Sequence, residues 1–114
     1  MSKDTLELLR ECDSGIKMAV GSIEEVSGHI KNTELKNLLE KSREEHDRIG
    51  REVREQLALI GDCGKDPGVV AKSMSWIKTN VKLGLNDTDK TVAGLMTDGC
   101  DMGIKSLTRY LSEY

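Results

Sequence analysis

The chain reads as an all-α protein, an antiparallel four-helix bundle, and three observations point there. Apolar residues recur three and four apart through most of the 114 residues. Aromatic residues are scarce, with Trp76, Tyr110 and Tyr114 and no Phe, so the aromatic and β-branched alternation of a sheet is missing. Capping and turn residues divide the chain into four long stretches, and only one proline, Pro67, interrupts it. The length suits one domain over residues 1–114 with a modest core.

The first helix is expected to start at Asp4, where "DTLE" sets an acid three residues before Glu7 in the manner of a capping box. Its seam is Leu6, Leu9, Ile16, Val20, Ile23 and Ile30, flanked by Cys12, Ala19 and Val26. Two seam positions, Asp13 and Ser27, are polar. Burying an unpaired charge is costly. Asp13 can either reach Arg54 or leave the seam, and the second is the expectation, with the helix rotating so that Cys12 faces inward. The second helix follows a tight turn at "KNTE", capped by Asn32 or Thr33, with Glu34 at its positive end. Its seam reads Leu35, Leu39, Ser42, His46, Ile49, Val53, Gln56 and Ile60, with Leu38, Leu57 and Leu59 beside it, and Gly61 as its stop.

"GDCGKDPG" is the one real loop. Asp66 then caps a third helix with Pro67 at its first position. That helix carries Val70, Met74, Ile77 and Val81, has Trp76 on its flank and ends near Gly84. Asp87 is expected to cap a fourth helix with Val92, Leu95, Met96, Met102, Leu107, Tyr110 and Leu111. Two helices of about 27 residues, one of about 18 and one of about 25 result; short connections favour antiparallel neighbours. The shorter third helix leaves the tip of the first hairpin, with Ile30, Leu35, Leu38 and Leu39, in need of cover. Either a second copy supplies it, in a homodimer, or the fourth helix does.

Composition narrows the function classes. The formal net charge of −3 is spread along the chain without a basic stripe, so nucleic acid is not an expected partner. No apolar run is long enough to cross a bilayer, and the N-terminal residues lack a signal-peptide core, so no membrane association and a cytoplasmic location are expected. Cys12, Cys63 and Cys100 are odd in number and widely spaced, which fits reduced thiols better than a disulfide framework or a zinc knuckle. No phosphate-binding glycine loop and no nucleophile–base set can be assembled.

The chemistry that needs weighing sits in "KSREEHDRIGRE". His46 falls on the seam, level with Val20 when the hairpin is paired about its turn. A bundle metal site wants carboxylates converging on such a histidine. The positions three and four away are Arg43, Ser42, Ile49 and Gly50. Glu45 points about 100° away, and Glu24 of the first helix is placed to pair with Arg43. A histidine satisfied by one hydrogen bond is the expectation. In "TDGCDMG", Asp98 and Asp101 have metal-like spacing, but the inward row is Met96, Gly99, Gly103 and Tyr110, which puts Asp101 outside. Gly99 and Gly103 suggest close approach to the third helix at Met74 and Val70. His29 belongs to the outer face, and the methionines Met18, Met74, Met96 and Met102 are core filler.

The order of "LLRECDSGIKMAVGSIEEV", "NTELKNLLEKSREEHDRIGREV", "SMSWIKTNVKLGL" and "DGCDMGIKSLTRYLSEY" resembles the bacterial ferritin-like four-helix-bundle proteins of unknown function, relatives of rubrerythrin. The resemblance implies a ferritin-like bundle, whose metal-binding members carry Glu on the first and third helices and Glu-x-x-His on the second and fourth. Here the second motif reads Arg43-Glu44-Glu45-His46, the fourth reads Asp98-Gly99-Cys100-Asp101, and the third helix has no acid. The expected function is therefore a non-enzymatic, homodimeric interaction or structural module with no cofactor. The competing expectation is an iron-handling protein or oxidoreductase, binding iron or another divalent metal through His46, Glu24 and Glu45.

Overall fold

A computed structural model describes residues 2–65 and 88–113, and among these residues every regular element is a helix. The expected third helix, with Trp76, and the expected Asp87 cap lie outside the described residues. The three helices are α1, Lys3–Ser27, α2, Thr33–Ala58, and α3, Thr88–Glu113.

Caps set the boundaries. The cap of α1 lies two residues before the expected one, because Ser2 rather than Asp4 is the N-cap: its Oγ accepts the Thr5 N–H at 3.1 Å. Asp4 sits instead in the first turn, where a negative charge suits the positive helix end. Asn32 caps α2 by accepting the Leu35 N–H at 2.9 Å. At the far end Gly61 adopts φ +74. The Gly61 N–H donates to the Ala58 carbonyl and the Asp62 N–H to the Leu57 carbonyl, both at 3.0 Å. That pair of bonds around a left-handed glycine is the Schellman stop.

α1 and α2 pack as an antiparallel hairpin. Gly50 is buried against α1, and a Cβ there would come within 3.0 Å of Ile16 Cγ2. The inward row of α2 therefore runs Leu39, His46, Gly50, Val53 and Leu57. The expected seam is kept at Leu39, His46 and Val53, but Gly50 replaces Ile49 and Leu57 replaces Gln56. Ile49 and Ile60 are exposed, while Leu57 is fully buried. A glycine has no apolar side chain to mark the face it occupies, so a hydrophobic pattern skips it.

The tip of the hairpin is covered by α3. Val92 and Leu95 join Ile23, Val26, Ile30 and Leu39 in one buried cluster, with Leu35 and Met96 packed at its edge. The Lys31 and Asn32 N–H groups donate to Asp89 Oδ1 at 2.6 Å and Oδ2 at 3.0 Å. One carboxylate of α3 thus closes the α1–α2 turn. Of the tip residues only Leu38 stays largely open, at 64%. The fourth predicted helix supplies the cover, and the tip offers little ground for a second copy.

Asp89 at the turn also fixes a direction. α3 starts where α1 ends, and its far end brings Tyr110 into the electrostatic reach of Lys65, beyond the end of α2. α3 therefore runs antiparallel to α1 and alongside the direction of α2. A long crossover between the second and third helices would make those two parallel, and the last helix would then run with the first. The crossover topology that goes with the ferritin-like resemblance is not the one traced by these ends.

Candidate functional site

Two polar centres lie within the hairpin, one around Asp13 and one around His46. Asp13 was expected to leave the seam. Instead it is the one fully buried charged residue among those described, with no solvent exposure. Its Oδ2 lies 2.8 Å from Lys17 Nζ and accepts the Lys65 N–H at 3.0 Å. Its Oδ1 faces Arg54 Nη1 at 3.5 Å, a distance for charge attraction rather than a hydrogen bond. Two cations and a backbone amide offset the cost of burying the carboxylate. The Arg54 contact weighed from the sequence is present, and the rotation that would bring Cys12 inward in its place is not. Cys12 is half-buried, and burial pushes its thiol pKa up.

The partner surface for Asp13 is the loop that follows α2. Asp62 accepts the Gly64 N–H at 2.8 Å through Oδ1 and the Arg10 Nε–H at 3.0 Å through Oδ2. The Arg10 guanidinium, helped by the Gly64 amide, holds the Asp62 carboxyl below its ordinary pKa. Lys65 pairs with Glu11, which raises the lysine pKa. Gly64 is at φ +84, and a Cβ there would stand 2.2 Å from Asp13 Oδ2. Only glycine satisfies both the backbone conformation and the space. The sequence signal for this clasp was present: a charge at a seam position, opposite a loop with two glycines.

His46 lies half-buried near the middle of α2. Its Nδ1 donates to the Ser42 carbonyl at 2.7 Å, one helical turn back, with Ser42 Oγ at 3.4 Å. This leaves Nε2 as the ring atom free to accept. Of the acids offered as its companions, one is paired with an arginine and the other is exposed. Glu45 is exposed and pairs with Arg48 at 2.9 Å. Glu24 is exposed on α1, and Arg43 turns instead to Glu40 and Asp47 on its own helix. Those pairs hold the Arg43 pKa up and the Glu40 pKa down, with Glu24 adding a weaker field at Arg43. Asp98 and Asp101 are both exposed on α3, as expected for an outward face. Among the described residues no three His, Cys, Asp or Glu side chains converge as a metal ion would require.

On α3 the expected inward row is half-filled. Met96 and Tyr110 are half-buried, but Gly99 and Gly103 are exposed with nothing within 4 Å of an added Cβ. Their expected contacts, Met74 and Val70, lie outside the described residues. Leu107 and Leu111, expected among the apolar residues of this helix, are instead 45% and 60% exposed, and with Ile104, which the sequence reading passed over and which is 66% exposed, they form a second apolar row. A shallow groove of about 320 Å³ lies between the ends of α1 and α2, floored by Leu9 and Val53 and edged by Glu52, Glu55 and Gln56. No described helix is long and apolar enough to cross a membrane. The chain matches no protein-family model, no curated protein and no solved structure.

Proposed function

We propose that the protein is an up-down-up-down four-helix bundle that works as a non-enzymatic, self-associating interaction module. The observation that carries the functional part is the exposed row Ile104, Leu107 and Leu111, on a helix whose other apolar side is already used against α1. A contiguous apolar strip of this kind on a helix surface marks an interface. The polar groups that could have done chemistry have partners within the fold: Asp13 fastens the loop and His46 is bonded to its own helix.

The four-helix part is supported by the described chain ends. α2 finishes at one end of the hairpin and α3 begins at the other, about 39 Å away at the helical rise. Residues 66–87 have to cover that length. A helix of about 18 residues spans about 27 Å, which with its connections has the reach, and Val70, Met74, Ile77 and Val81 give that stretch an apolar face.

One observation favours a second reading. A metal-ligating histidine commonly donates its other ring N–H to a backbone carbonyl, and His46 does so at Ser42. Iron or another divalent metal would then bind through Nε2, with Glu24, Glu45 or a second copy supplying carboxylates. Elemental analysis of protein purified without chelator, beside its native mass, separates the two. The interaction reading expects an oligomer without stoichiometric metal. Iron, manganese or zinc at one or more ions per chain, lost in His46→Leu, replaces it with the metal reading.

A further inference from the structure

We draw no further inference here: the strongest candidate, the exposed apolar row of Ile104, Leu107 and Leu111 on the outer side of α3, already carries the reading above, and nothing among the described residues shows what covers it.

Discussion

The two ends of the hairpin are held by different physics. At the turn end, Ile23, Val26, Ile30, Leu39, Val92 and Leu95 form an apolar cluster, and Asp89 adds two hydrogen bonds at its rim. At the open end there is one fully buried leucine, Leu57, together with a buried carboxylate, a left-handed glycine and four ion pairs. Apolar burial is non-directional and tolerates small shifts. The clasp works only if Asp13, Gly64 and the Lys65 amide coincide. The comparison teaches that the hairpin is shut by area at one end and by geometry at the other, so the two ends respond to different changes.

The largest effect is expected from Leu57→Ala. It removes the apolar side chain beneath the clasp and costs about 2–5 kcal/mol in chemical denaturation. A value below about 1 kcal/mol would mean that the open end is held by polar groups alone. Gly64→Ala comes next. The left-handed backbone alone penalises a Cβ by about 1–2 kcal/mol, and the clash with Asp13 adds to it. A total near 2–3 kcal/mol is expected, with faster amide exchange at Lys65 and little change at Lys31 and Asn32. Equal loss at both ends would erase the distinction drawn here.

At the turn end, Asp89→Ala is expected to cost only about 1 kcal/mol, the usual worth of a capping side chain, because the apolar cluster beneath it remains. Acid provides a graded test of the open end. Asp62 has its folded pKa lowered, chiefly by Arg10. Its contribution is therefore complete above the unfolded carboxylate value of about 3.9 and is lost as the pH falls below it, through the folded value. Protection of the Gly64 amide should decline in that window, and Asp62→Asn should remove this part of the decline. His46→Leu is expected to have the smallest effect, within about 1 kcal/mol, because the Ser42 carbonyl keeps its helical partner. A much larger loss would give His46 a structural role that its single hydrogen bond does not show.

How far the fold was legible follows the same division. The all-α class, the Asn32 cap, the Gly61 stop and the pairing of the two long helices are written in local patterns that the structure keeps. Asp13 was misjudged because burial of a charge is decided by partners 41 and 52 residues away, at Arg54 and Lys65. The slip of the second seam came from Gly50, whose fit against Ile16 leaves no mark in a hydrophobic pattern. The cover of the tip depended on where α3 starts, which hinges on Asp89 reaching back to Lys31 and Asn32. His46 and its candidate companions Glu24 and Glu45 could be named from spacing alone. That Glu45 pairs with Arg48, and that Arg43 takes Glu40 and Asp47 rather than Glu24, depends on which neighbour each arginine chooses, and the choice falls within the helix.

Self-association through α3 is the claim on which the functional account turns, and the native mass of the whole chain by light scattering tests it most directly. From low to high micromolar concentration, the account predicts a mass rising to twice the 12.6 kDa of one chain. A mass that stays at 12.6 kDa throughout would contradict it.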